Sequence, residues 1–114
     1  MIFRGAFRRE LLRHFPFIVI QEAKDGREAM ERIQRMPPSL IFMDIGLPGV
    51  NGLQLTQKIK EASPNIRIAM LTGYDFPEYW RTASQCGADR YFLKDAIDWK
   101  EVEEFIQYVP KENR

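Results

Sequence analysis

Three polar residues of this chain each lie at the end of a short apolar run. Asp44 interrupts the run Leu40–Ile45, while Thr72 and Lys94 each follow another apolar segment. An aspartate can attack phosphorus to give an acyl phosphate when a divalent cation, an ammonium group and a hydroxyl stabilise the phosphoryl oxygens. The set predicts phosphoryl transfer to a carboxylate, with Asp44 as nucleophile and with Thr72 and Lys94 each binding one phosphoryl oxygen.

Each of the three residues also has a simpler interpretation. The Asp44 side chain could cap the turn that leads into Gly46–Gly52, as many aspartates at strand ends do. Thr72 could bond only to the local backbone, and Lys94 could be a solvated strand end. The chemical hypothesis depends on the fold bringing all three together.

Strands and helices alternate along the chain, which predicts that convergence. Apolar residues at steps of three and four predict helices, and continuous apolar runs bounded by Gly or Pro predict buried strands. In order, the predicted elements are a helix over 2–14, a strand over 17–20, a helix over 27–35, a strand over 40–45, a helix over 53–61, a strand over 66–71, a helix from Pro77 that ends before Gly87, a strand over 90–93 and a helix from Asp98 to Val109. Such alternation predicts an α/β fold in which a parallel sheet carries helices on both faces, so the three strand ends meet at one edge.

Composition excludes several classes of function. A chain of 114 residues with 45% hydrophobic content suits one domain, and 17 basic against 16 acidic residues give no field for nucleic acid or an anionic membrane. The single cysteine, Cys86, excludes an internal disulfide. No run approaches the roughly 20 apolar residues that span a bilayer. We expect a soluble, cytoplasmic protein that does not bind DNA directly.

Four segments together resemble the receiver domain of response regulators in two-component phosphorelays. They are residues 22–29, 40–52, 69–73 and 87–94. The resemblance extends over nearly the whole chain and implies a flavodoxin-like fold with strand order 2-1-3-4-5. It implies a histidine kinase or phosphotransfer protein as partner. Lys94 is followed by Asp95, which is similar to receivers that precede a helix-turn-helix DNA-binding domain.

The resemblance also implies a role for each matching residue. Asp44 matches the phospho-acceptor, Thr72 the switch hydroxyl and Lys94 the lysine that contacts the phosphoryl group. Tyr91 matches the aromatic residue whose rotation reports phosphorylation, although an aromatic residue in a strand is usually packing. The backbone carbonyl of Gly46 matches a ligand of Mg²⁺, together with Asp44.

The chain departs from the family pattern at its start. Receivers begin with an apolar strand ending in two acidic residues that hold Mg²⁺, whereas this sequence begins with the following helix. Glu10 and Glu22 are the nearest acids, and neither occupies the position of the absent pair. Magnesium prefers near-octahedral oxygen ligation, so we expect weak or absent metal binding and impaired phosphorylation.

The absent strand also affects the predicted sheet. In the family order it lies between the strand Phe17–Ile20 and the strand that carries Asp44. We expect either that Phe17–Ile20 moves into the vacancy, giving four strands instead of five, or that two protomers form a strand-exchanged dimer. A third possibility is that the natural gene starts upstream.

Two rival functions belong to other classes. A haloacid dehalogenase type of enzyme would need a second acid two residues after Asp44, where Gly46 stands. A receiver-like interaction module would signal by docking, without phosphorylation. We assign residues 1–109 to one receiver domain, which is not an enzyme in the ordinary sense, and residues 110–114 to a polar tail.

An aromatic face is the predicted docking site, either for a homodimer or for an output partner. Its members come from the fourth helix to the last helix: Tyr79, Trp80, Arg90, Tyr91, Trp99, Glu103 and Tyr108.

Overall fold

A parallel three-stranded sheet with helices on both faces forms the centre of the protein. The computed structural model describes residues 2–44, 51–73 and 76–107. The elements are α1 Ile2–His14, α2 Gly26–Arg35, β1 Leu40–Asp44, α3 Gly52–Ala62, β2 Arg67–Thr72, α4 Pro77–Gln85, β3 Arg90–Leu93 and α5 Trp99–Gln107. The sheet order is β1-β2-β3, and both neighbouring pairs are parallel. The predicted α/β architecture is confirmed.

The central strand, β2, has side chains in two separate cores. Ala69 and Leu71 belong to the core that α1 and α5 cover, together with Phe105 and Val102. The alternate residues of the strand belong to the other core, which packs against α3 and α4: Ile68 and Met70 with Leu55, Ile59 and Ala83. Because successive residues of a strand face opposite sides, a continuous apolar run is what a strand covered on both faces requires.

Local signals fix where several helices begin. The Asp25 carboxylate accepts a hydrogen bond from the Glu28 backbone N–H at 2.8 Å and caps α2. The Asp98 carboxylate accepts bonds from the backbone N–H groups of Lys100 and Glu101, as the predicted capping arrangement requires. These caps satisfy N–H groups that the first turn of a helix leaves without partners.

Gly87 ends α4 in the left-handed conformation that its predicted position requires. Its φ is 104°, and a Cβ at this position would lie 2.9 Å from the Cγ of Lys60. The N–H of Gly87 donates to the Ser84 carbonyl and the N–H of Ala88 donates to the Ala83 carbonyl, which closes the helix end. The turn carries the chain directly into β3.

The predicted strand Phe17–Ile20 is wrong for the described part of the chain, and so is the expected count of four strands. The sheet has three strands, and Phe17–Ile20 joins none of them. Ile18 and Ile20 still pack against the core beneath α1 and α5, whereas Phe17 and Val19 are exposed. The segment therefore keeps the two-residue alternation of a strand, but it has no neighbour with which to form a ladder.

Candidate functional site

The three predicted site residues meet at one edge of the sheet. Asp44 is the last residue of β1, Thr72 is the last residue of β2, and Lys94 follows the last residue of β3. Because the strands are parallel, their carboxyl ends lie side by side. The Lys94 backbone N–H donates to the Thr72 carbonyl at 2.7 Å, which fixes the lysine beside the end of the central strand.

An ion pair joins the two charged members of this group. The Lys94 Nζ lies 2.6 Å from Asp44 Oδ2, a short charge-assisted hydrogen bond. The side chains are only 14% and 23% exposed for Asp44 and Lys94 respectively, so solvent screens the pair weakly. Lys94 is therefore not the solvated strand end of the simpler interpretation.

Thr72 is buried at the end of the central strand, with 2% exposure. Its position on β2 places it between the strand ends that carry Asp44 and Lys94. The arrangement thus provides a carboxylate, an ammonium group and a hydroxyl at adjacent strand ends, which is the donor set that an acyl phosphate requires.

Tyr91 is separate from this group of polar residues. It lies in β3, packs against the core covered by α3 and α4, and its ring contacts Trp80 of α4 with 5.5 Å between ring centroids. Its position beside α4 makes it a contact between β3 and that helix. Gly46, the predicted carbonyl ligand, lies outside the described residues.

The described residues do not fit a divalent metal ion at this edge. Among residues 2–44, 51–73 and 76–107, no three His, Cys, Asp or Glu side chains are close enough to form a metal site. The Asp44 carboxylate is engaged by Lys94. Magnesium prefers six oxygen ligands, and one ion-paired carboxylate is a poor basis for such a site.

The structure adds α1 to the surroundings of Lys94. A shallow cavity of about 250 Å³ lies beside the lysine between α1 and the start of α5. Its lining residues are Ala6, Phe7, Glu10, Lys94, Asp95, Ile97 and Trp99. The sequence interpretation missed the proximity of Glu10 because only the packing of α1 on α5 reveals it. The i, i+3 spacing of Phe7 and Glu10 was the available signal, since it places them on one side of the helix.

A larger cavity of about 540 Å³ lies at the opposite edge of the sheet. It is lined by the segments that precede β1 and β2, from Pro37 to Ser39 and from Ala62 to Ile66. None of these lining residues is ionisable, so this cavity lacks the groups that the proposed chemistry needs.

The residues of the predicted aromatic face divide between two sides of the sheet. Tyr79, Trp80, Arg90 and Glu103 are exposed. Trp99 instead stacks on Phe7 and His14 of α1, at centroid distances of 5.6 and 4.7 Å. Tyr108 lies outside the described residues. We use the name aromatic surface for Phe76, Tyr79, Trp80 and Tyr91, which lie on and beside α4.

The arrangement of strand ends agrees with comparisons to known proteins. Residues 4–107 match the profile of the response regulator receiver domain, and the chain belongs to that family. It is a receiver domain of the two-component phosphorelay type, a signalling domain and not a classical enzyme.

Individual relatives support this assignment. The chain is 31% identical over 94 residues to the transcriptional regulatory protein DegU of Brevibacillus brevis, covering 82% of this chain and 40% of that protein. It superposes with a TM-score of 0.82 and 29% identity on a LuxR-family two-component response regulator from Aurantimonas sp. SI85-9A1, covering 93% of this chain and 75% of that one.

A third relative is a response regulator protein from Burkholderia pseudomallei, solved with a phosphorylated aspartic acid, a calcium ion and citrate. The TM-score is 0.76 at 27% identity, covering 98% of this chain and 62% of that one. Because the chain spans only two fifths of the length of DegU, the activity of a whole regulator does not transfer to it directly. No helix in the described ranges is long and apolar enough to cross a membrane.

Proposed function

We propose that Asp44 accepts a phosphoryl group from a histidine kinase or phosphotransfer protein. The observation that carries this proposal is the 2.6 Å contact between Lys94 Nζ and Asp44 Oδ2 beside the buried Thr72. The neighbouring family member with a phosphorylated aspartic acid supports it.

The chemistry needs few steps. An oxygen of the Asp44 carboxylate attacks phosphorus, a P–O bond forms, and the P–N bond of the donor phosphohistidine breaks. The imidazole leaves with the electron pair of that bond and takes up a proton. Lys94 then binds a phosphoryl oxygen in place of the carboxylate, and the Thr72 hydroxyl donates to another phosphoryl oxygen.

The experiment that tests this proposal is phosphorylation of the 114-residue chain by acetyl phosphate, followed by intact-mass measurement. We expect one added phosphoryl group in the wild type and none in Asp44→Asn. Asp95→Asn is the matched control, because Asp95 lies next to Lys94 and lines the cavity beside it. Asp95→Asn should be phosphorylated like the wild type.

We further propose that this chain is phosphorylated slowly. The only metal-ligating group of this edge among the described residues is Asp44, and Lys94 holds it. When bound, Mg²⁺ neutralises charge on the phosphoryl oxygens. Asp44 and the Gly46 carbonyl are the candidate ligands, and we propose that they bind the ion weakly.

The same observation favours a second candidate function, a receiver-like interaction module that acts without phosphorylation. In that case Asp44→Asn would bind the output partner as tightly as the wild type does, with or without a phosphodonor. Dependence of partner binding on the phosphodonor would exclude the module.

The aromatic surface is the proposed docking site for an output partner. Phe76, Tyr79 and Trp80 are exposed, and exposed aromatic side chains are enriched among the residues that dominate binding energies. We expect Tyr79→Ala and Arg90→Glu to weaken partner binding. If both variants bind the partner as the wild type does and sediment as it does, neither an output partner nor a homodimer uses this surface.

The remaining proposals concern the setting of the domain. The receiver domain extends over residues 1–109, with 110–114 as a polar tail, and it acts in the cytoplasm. Its net charge of +1 gives it no field for DNA, so DNA binding belongs to a partner or an output domain.

A further inference from the structure

Two extended segments of this chain have backbone edges without partners. The Arg67 N–H donates to the Ser39 carbonyl, and alternate residues of a parallel strand bond to the same neighbour. Ile41 and Met43 therefore face β2, whereas the N–H and C=O groups of Leu40 and Phe42 point to the opposite edge. Within the described residues, no strand pairs with that edge.

The second segment is Phe17–Ile20. Phe17 is 97% exposed and Val19 is 87% exposed, while Ile18 and Ile20 hold the segment against its own core. In the part of the chain that the structure describes, the backbone of Val19 makes no hydrogen bond to other backbone groups. An apolar extended segment with free backbone groups is a template for strand addition.

The two edges match each other in composition. The sheet at β1 is covered on both faces, so a strand added there must be apolar on both faces. Phe17–Ile20 is apolar at all four positions. Neither Phe17–Ile20 nor Leu40–Met43 contains the lysine, proline or acidic residue that sheet edges commonly use to prevent pairing. With a net charge of +1, two copies repel each other little.

We infer that a second copy of this chain pairs with the open edge of β1 through its Phe17–Ile20 segment. The exchange is reciprocal, so one two-fold axis produces two such pairings. Ile18 and Ile20 remain on their own core, and the contact uses the exposed Phe17 and Val19. The inference does not depend on phosphorylation.

Sedimentation velocity of the 114-residue chain at increasing concentration tests this inference. We expect the wild type to dimerise and Val19→Lys to raise the dissociation constant at least about tenfold. Since Val19 is exposed, this variant should keep the wild-type circular dichroism spectrum. Leu40→Pro removes an N–H from the open edge only, and we expect it to weaken the dimer similarly.

Two controls separate the edge from other surfaces. Trp80→Ala removes an exposed ring of the aromatic surface, and Asp44→Asn removes the proposed phospho-acceptor; both should dimerise as the wild type does. A wild type that stays monomeric at all concentrations overturns the inference. So does a dimer that Val19→Lys or folded Leu40→Pro leaves intact, or one that Trp80→Ala disrupts. If Leu40→Pro does not fold, Val19→Lys alone decides.

Discussion

The ammonium of Lys94 lies 2.6 Å from the carboxylate of Asp44 although the strands that carry these residues are not neighbours. The lysine follows β3, the aspartate ends β1, and β2 separates the two strands. The contact therefore crosses the end of the central strand, where Thr72 is buried. It holds the predicted nucleophile beside the cation that would stabilise its product.

Lys94→Met should slow phosphorylation by acetyl phosphate roughly a hundredfold, because one preorganised donor to the phosphoryl oxygens is lost. The variant also leaves the mostly buried Asp44 carboxylate without its ammonium partner, which should cost about 1–3 kcal/mol in the free energy of unfolding. Phosphorylation rates and urea denaturation measure the two effects.

Lys60→Met is the matched control for Lys94→Met. Lys60 pairs with Asp89 at 2.8 Å, at the opposite edge of the sheet. Its loss should lower stability and leave the phosphorylation rate of the folded chain unchanged. A wild-type rate in Lys94→Met would remove this lysine from the chemistry.

Gly87→Ala should destabilise the fold by about 1–3 kcal/mol, since a side chain would occupy the left-handed region and contact Lys60. Gly5→Ala is the contrasting variant, because Gly5 lies within α1 and its Cβ would have only an Arg9 side-chain atom nearby, at 3.7 Å. That substitution should stabilise the chain by about 0.5–1 kcal/mol. Urea denaturation gives both values, and equal effects of the two substitutions would contradict the conformational argument.

Magnesium should bind no more tightly than about the millimolar range, since the described residues supply one ion-paired carboxylate at this edge. Isothermal titration calorimetry measures the affinity directly. Trp99 borders the cavity beside Lys94, so its fluorescence in a Trp80→Phe background provides a second measurement. Submillimolar binding would mean that other groups complete the site.

Much of the fold was predictable because its signals are local. The apolar runs, Gly87 and the Asp98 cap each indicate one element boundary, and their alternation predicts parallel strands whose ends meet. The convergence of Asp44, Thr72 and Lys94 follows from that topology. The family resemblance supplied the roles that the residues alone left open.

The parts that were not predicted depend on contacts between distant segments. Phe17–Ile20 has the composition of a strand, but pairing needs a neighbour that the described residues do not supply. The contact of Tyr91 with Trp80 and the proximity of Glu10 to Lys94 depend on helix packing. No spacing within one element contains that information.

The identity of the phosphorylated residue tests the central claim most directly. Treating the acetyl phosphate-labelled chain with borohydride reduces an aspartyl phosphate to homoserine, and peptide mass spectrometry then locates the change. We predict homoserine at position 44 alone, with no change in Asp44→Asn. Homoserine at another aspartate, or modification that persists in Asp44→Asn, would contradict the assignment of Asp44 as the phospho-acceptor.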